Sequence, residues 1–300
     1  MSTLGENAAV IGGSGGMGRW LAQFLKEAGF KVTITGRRPN KTEATAKELN
    51  VNFSHSHETL TAESDIVAVT TPIVAMPQII TEVAQRMRRG ALLLDIASVK
   101  EPITPALNQA KTKGINILSL HPMFGPDVGT LNAKNIILIP VEAEPRITNA
   151  VAELFQRAGV QTTRLNSLEE HDRMIALTLA LPHFLNITFG ITLSSSGPNI
   201  NELKKFAGTT FTLQLMLAEV VLQENPHLYS EIQLSNKAFH PLLETLTQRI
   251  GELKNIVKSG KKDEFEKIFN DARKHLSSDE EFDKARQKFI NSLKATKLVS

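Results

Sequence analysis

The chemistry this 300-residue chain could do rests on one glycine cluster, two arginines, one serine and a few histidines. Gly12-Gly13-Ser14-Gly15-Gly16-Met17-Gly18 holds a G-x-G-x-x-G at Gly13, Gly15 and Gly18. In such a turn the first glycine permits a sharp bend and the second lets the backbone approach a pyrophosphate. The third lets a helix pack closely on a strand. Amides at the helix start then face the phosphates, helped by the positive end of the helix dipole. Gly13, Ser14, Gly15, Gly16, Met17 and Gly18 are therefore read as a dinucleotide-binding turn.

The cofactor's form is read from the next strand, Lys31 to Thr35, which runs into Gly36-Arg37-Arg38 with no carboxylate at its end. A carboxylate there would bond the adenine ribose hydroxyls of NAD. Two guanidiniums instead suit a dianionic 2′-phosphate, so Arg37 and Arg38 point to NADP, with NAD the lesser choice. Thr70, Thr71 and Pro72 break the apolar run Ile66 to Val69. Ligands of an open parallel sheet sit at the carboxyl ends of its strands, which makes these three candidates for lining the cofactor.

Ser98 and His121 also lie just past strand ends, on the side of the glycine turn. His121 follows an apolar strand and is held by Pro122, and is read either as a general base or as a structural side chain. His183 sits beside Pro182 in the apolar stretch Met174 to Leu193. A buried histidine needs a partner; it is either a substrate contact or a core residue bonded to a carbonyl that Pro182 frees. His55 and His57 lie on a loop without a supporting carboxylate or cysteine, and are read as solvated, with no metal.

The elements that must position these groups follow from hydrophobic patterning. Apolar runs at Ala8–Ile11, Lys31–Thr35, Ile66–Val69, Ala91–Asp95 and Asn116–Leu120 alternate with helical patterns at 41–49, 74–87, 103–112 and 145–157. That alternation predicts a mostly parallel sheet covered on both faces, a Rossmann-type α/β domain over residues 1–165. Further strands are expected at 135–139 and 161–163. Beyond Arg164 only helical patterns occur. Ser167 with Glu170 reads as a capping box, opening a long helix that Pro182 kinks. Helical patterns at 202–223, 231–259 and 262–292 complete an all-helical second domain, 166–300, expected to help form a homodimer.

Charge is nearly balanced, 34 Lys plus Arg against 31 Asp plus Glu, so no basic surface argues for nucleic acid. With no cysteine, disulfides, thiolate ligands and cysteine nucleophiles are excluded. The first residues lack a basic-then-apolar signal sequence. Met174–Leu193, interrupted by Pro182, His183 and Asn186, is read as a buried helix and not a membrane span. A cytoplasmic protein is expected.

Four blocks together resemble the prephenate/arogenate dehydrogenase family of tyrosine biosynthesis: the glycine turn, Asp95-Ile96-Ala97-Ser98-Val99-Lys100, His121-Pro122-Met123-Phe124-Gly125, and Leu181-Pro182-His183 after His171-Asp172. The resemblance implies oxidative decarboxylation of prephenate, or of arogenate, with hydride passing to a nicotinamide and the ring becoming aromatic. It assigns His121 to the substrate's ring hydroxyl as base, Ser98 to the same hydroxyl or to orienting His121, and His183 to the substrate pocket. Many relatives carry an arginine for a substrate carboxylate, but residues 199–235 contain none; Lys204 and Lys205 are the nearby cations. A lysine is a different ligand from a guanidinium. Two other readings stand beside this one: another NADP-dependent dehydrogenase or reductase with a helical second domain, and a non-catalytic NADP-binding sensor.

Overall fold

The computed structural model describes residues 3–295. Its first part alternates strands and helices: β1 (Asn7–Ile11), α1 (Gly16–Glu27), β2 (Lys31–Thr35), α2 (Pro39–Leu49), β3 (Asn52–Phe53), α3 (His57–Glu63), β4 (Ile66–Val69), α4 (Met76–Arg86), β5 (Leu92–Asp95), α5 (Thr104–Ala110), β6 (Asn116–Pro122), β7 (Asn135–Glu142), α6 (Pro145–Arg157) and β8 (Gln161–Arg164). Helices alone follow: α7 (Leu168–Ile175), α8 (Leu181–Ser194), α9 (Ile200–Lys204), α10 (Thr209–Gln223), α11 (Pro226–Ser235), α12 (Phe239–Ser259), α13 (Lys262–Leu276) and α14 (Ala285–Ala295).

The eight strands form one sheet in the order β3-β2-β1-β4-β5-β6-β7-β8. Pairing is parallel throughout except between β6 and β7, which run antiparallel. Every residue of β4 and of β5 is buried, as strands covered on both faces require. The chain leaves β1 for β2 on one side and later returns to β4 on the other. That reversal opens a crevice at the carboxyl ends of the strands, where such sheets bind ligands.

The glycine turn follows β1 as expected, with one correction. The left-handed residue that makes the bend is Gly12, at φ +90°, and not Gly13. Gly13 is small for a different reason: a Cβ there would lie 2.6 Å from Cβ of Ile34. Gly18 has the close-packing role, since a Cβ would come within 2.3 Å of the Gly12 carbonyl oxygen. His57, read as a loop residue, opens α3 instead.

Beyond β8, Ser167 caps α7 by accepting from the Glu170 amide at 3.0 Å, and the Glu170 carboxylate accepts from the Asn166 amide. A π-helical turn, Ala176–Ala180, joins α7 to α8 with Pro182 in the first turn of α8. Proline lacks the N–H that an α-helix would aim at an earlier carbonyl, and the wider turn accommodates the loss. The expected continuous helices are also divided. Gly208 caps α10, while Asn225 and Asn236 bond the amides of His227 and Ala238, starting α11 and turning the chain before α12.

One reading is overturned here. The segment Leu168–Ser194 is by length and composition apolar enough to cross a membrane, with mean hydropathy 1.6, yet only 22% of that window is buried. It is not a buried core helix within one chain. α8 packs on α10, and Leu185, Ile191, Leu217, Val220 and Leu222 of these two helices remain exposed.

The chain divides into two compact units, Met1–Pro241 and Leu242–Ser300. The first includes the sheet and α7–α11; the change from mixed to helical structure falls between Arg164 and Leu168. In the second, α13 buries none of its residues, and Phe265, Phe269 and Leu276 are exposed.

Candidate active site

Two cavities meet at the glycine turn. The first, about 430 Å³, is lined by Ser14, Gly15, Arg37, Arg38, Thr70 and Thr71. It is the space an adenine ribose and its phosphates would need beside the turn. His55 and His57 also line it, so the reading of both as simply solvated is incomplete. His57 lies 3.2 Å from the Glu82 carboxylate, and no cluster of metal ligands occurs among the described residues. Gly13 and Gly18 lie behind the surface as packing residues.

The residues fit a dinucleotide by three observations. Gly15 caps α1 with no side-chain hydrogen bond, and the first turn of that helix carries no acidic residue. Gly15 and Gly16 line the second cavity as bare backbone, and a Cβ there would lie 3.3 Å from the Gly12 carbonyl oxygen and 2.9 Å from Cγ of Pro126. The hydroxyl of Thr71 is buried without a partner and its residue lines both cavities. A buried hydroxyl left unpaired is costly unless a ligand satisfies it.

The second cavity, about 480 Å³, begins at Gly15, Gly16 and Met17, passes Thr70, Thr71 and Pro72, and reaches Ser98 and His121. β5 ends at Asp95 and β6 delivers His121 beside it, so parallel pairing of these strands sets Ser98 and His121 at one mouth. The far wall comes from α11: His227, Leu228 and Glu231, with Asn225 at its cap. Sequence reasoning missed this wall. Its signal was an Asn-Pro start with His and Glu four residues apart, too common a pattern to single out.

A buried polar network underlies His121. Its Nδ1 lies 2.9 Å from Nε2 of His171, and His171 Nδ1 lies 2.8 Å from the Asp172 carboxylate. That carboxylate also accepts from the amides of Lys100 and Glu101. The ammonium of Lys100 donates to Asp95 at 2.8 Å and to the carbonyl of Leu120 at 2.7 Å. Burial pushes the His121 pKa well below the ordinary histidine value, with His171 and Lys100 adding to the effect. His171 is lowered by burial too, against the opposing pull of Asp172. Both imidazoles are thus neutral near pH 7. A neutral imidazole whose nitrogen reaches a cavity can accept a proton.

The remaining assignments fare differently. His183 is not part of the cavity wall: its ring packs on Tyr229 at 4.6 Å between centroids, and its Nδ1 is buried without a partner. That nitrogen therefore does not make the expected bond to a carbonyl freed by Pro182. Lys204 and Lys205 are not brought to the Ser98–His121 cavity. Lys204 ends α9 and pairs with Glu219 of α10 at 3.5 Å, and Lys205 is exposed. α9, opened by the capping box of Asn199 and Glu202, buries none of its residues.

The fold and site define an α/β nucleotide-binding protein with a helical extension. Residues 21–164 match the prephenate dehydrogenase nucleotide-binding domain, and residues 167–271 match the prephenate dehydrogenase dimerization domain. The chain belongs to the prephenate/arogenate dehydrogenase family. It is 34% identical over 273 residues to a probable arogenate/prephenate dehydrogenase of Methanocaldococcus jannaschii, covering 90% of this chain and 61% of that protein. It is 28% identical to the T-protein of Enterobacter agglomerans, covering 87% of this chain and 65% of that one. The chain therefore spans less than two thirds of either relative. Among solved structures, the prephenate dehydrogenase of A. aeolicus, in complex with hydroxyphenyl propionate and NAD+, shares the fold at TM-score 0.74 and 19% identity. The match covers 92% of this chain and 99% of that one.

Proposed function

We propose that this protein catalyses the oxidative decarboxylation of prephenate or arogenate with NADP as oxidant. The observation that carries the reading is that Ser98 and His121 share one cavity with Gly15, Gly16 and Thr71, so a proton acceptor and a dinucleotide cradle face the same space. Membership of the family and the relatives' names support the substrate class. A bound nicotinamide would take hydride from the hydroxyl-bearing ring carbon. As hydride departs, His121 accepts the hydroxyl proton and Ser98 orients that hydroxyl. The carbon–carboxylate bond breaks, its electron pair enters the ring, carbon dioxide leaves, and His121 returns the proton to the phenol oxygen. Aromatisation supplies the driving force. Arg37 and Arg38 at the first cavity support NADP.

A homodimer formed through the helical part is the companion proposal. The matched dimerization domain and the exposed apolar faces of α8 and α10 support it. Sedimentation should then show twice the chain mass; a monomer at micromolar concentration would remove it.

The reaction is tested by following reduced-nicotinamide absorbance with each of prephenate and arogenate, against each of NADP and NAD. Turnover with one substrate, lost on the order of a hundredfold or more in His121→Ala with cofactor binding kept, is the expected outcome. No reduction in any combination, with NADP bound, would sink the assignment.

A further inference from the structure

From the chain of contacts behind His121 we infer that His171 and Asp172 are positioning residues: they fix the proton of His121 on Nδ1 and leave Nε2 as the base. The inference rests on the reading of His121 as the base. Asp172 can only accept. Its carboxylate is held by the Lys100 amide at 2.9 and 3.1 Å and by the Glu101 amide at 2.8 Å. A neutral His171 facing that carboxylate at 2.8 Å must therefore carry its proton on Nδ1. Its Nε2 then holds a lone pair, and lies 2.9 Å from His121 Nδ1, which must donate. With Nδ1 committed, the lone pair of His121 is on Nε2.

The same chain answers an electrostatic problem. A proton arriving on His121 creates an imidazolium in a buried site near the ammonium of Lys100. The other charged and titratable groups facing this region are Asp95 against Lys100, the His171–Asp172 pair, and Arg38, His227 and Glu231, which line the cavity. Only the His171–Asp172 pair is hydrogen-bonded to His121 among these. It places a carboxylate one imidazole away from the Nδ1 proton. The arrangement follows the logic of a base oriented by a second group whose carboxylate is buried. Three elements build it: β6 carries His121, α7 carries His171 and Asp172, and the loop after β5 supplies the amides that hold Asp172.

Nitrogen-15 NMR of histidine-labelled, NADP-bound wild-type protein tests the proton positions without any substitution. The expected spectrum has protonated Nδ1 and bare Nε2 on both His121 and His171. A proton on Nε2 of His121 overturns the inference. Kinetics provide the second arm, with the substrate that turns over in the absorbance assay. His171→Ala should lower kcat about a hundredfold, with KM and cofactor Kd changed no more than about twofold. The acid limb of its kcat profile should move to lower pH, because the imidazolium loses the acceptor at Nδ1 and the carboxylate behind it. His171→Gln, whose carbonyl can accept the Nδ1 proton, should recover kcat to within about tenfold of wild type. Wild-type kcat and pH profile in His171→Ala, with His121→Ala inactive, would leave His121 as base and refute the positioning pair. Full turnover in His121→Ala would refute both.

Discussion

Lys100 and Asp95 form an ion pair with Nζ 2.8 Å from Oδ1, and both side chains are wholly excluded from solvent. The pair ties the end of β5 to the end of β6, because the same ammonium donates to the carbonyl of Leu120, one residue before His121. Burial lowers the Lys100 pKa while Asp95 opposes that shift. Taking two charges out of water is expensive, and removing one leaves the other buried and unpaired.

Lys100→Met should therefore destabilise the protein by about 3–5 kcal/mol, read as a fall in the urea midpoint with unchanged m value. Replacing both residues, Lys100→Met with Asp95→Leu, should recover part of that loss. A single substitution with wild-type stability would show that the pair contributes nothing to the fold.

Arg37 and Arg38 both line the cavity beside the glycine turn. Substituting both with Ala should weaken NADP by ~2–4 kcal/mol, as loss of charge-assisted bonds to a phosphate would, and leave NAD nearly unchanged. Titration calorimetry with both cofactors decides it. Equal losses would remove the 2′-phosphate as their partner.

His121, His171 and His183 all have pKa values lowered by burial in the folded state. Below the ordinary value of about 6.5 the unfolded chain binds protons that the folded chain refuses. Stability from these three groups is therefore full above about pH 6.5 and falls as pH drops through and below it. Thermal midpoints measured from pH 8 to pH 5 should decline on the acid side, and His121→Gln should flatten part of that decline. A midpoint independent of pH in that window would contradict the buried, neutral state.

Gly18 leaves no room for a methyl group, with the Gly12 carbonyl oxygen at 2.3 Å and the Thr70 hydroxyl at 2.6 Å from a Cβ. Gly18→Ala must push α1 away from β1, at a cost of about 1–3 kcal/mol. The glycine turn would shift with it, so cofactor affinity should fall together with the melting temperature. An unchanged NADP Kd would mean that the turn does not depend on that close approach.

Much of the nucleotide-binding half was legible because its signals are local. Buried parallel strands read as continuous apolar runs, and 145–157 appears as a helix with the bounds its pattern suggests. Ser167 and Glu170 are neighbours along the chain, so their cap could be read directly. The positive φ at Gly12 was not legible in a run of adjacent glycines, since any of them tolerates it. That His121 and Ser98 line one cavity was legible because strand ends of a parallel sheet converge. Lys204 and Lys205 were chosen by charge and chain position alone, and the direction of α9 takes Lys204 to Glu219 instead.

By itself the sequence determined the alternation of strands and helices, the glycine turn, the basic end of β2 and the family. Those depend on periodicity and on residues adjacent in the chain. Only the tertiary structure decided that His171, 50 positions from His121, stands at its Nδ1, and that α11 walls the cavity with His227 and Glu231. It also decided that the apolar segment through α8 lies largely uncovered within one chain. Hydrophobicity says that a surface must be buried, but which surface covers it, and which polar groups meet across the sheet, is settled only when distant elements pack.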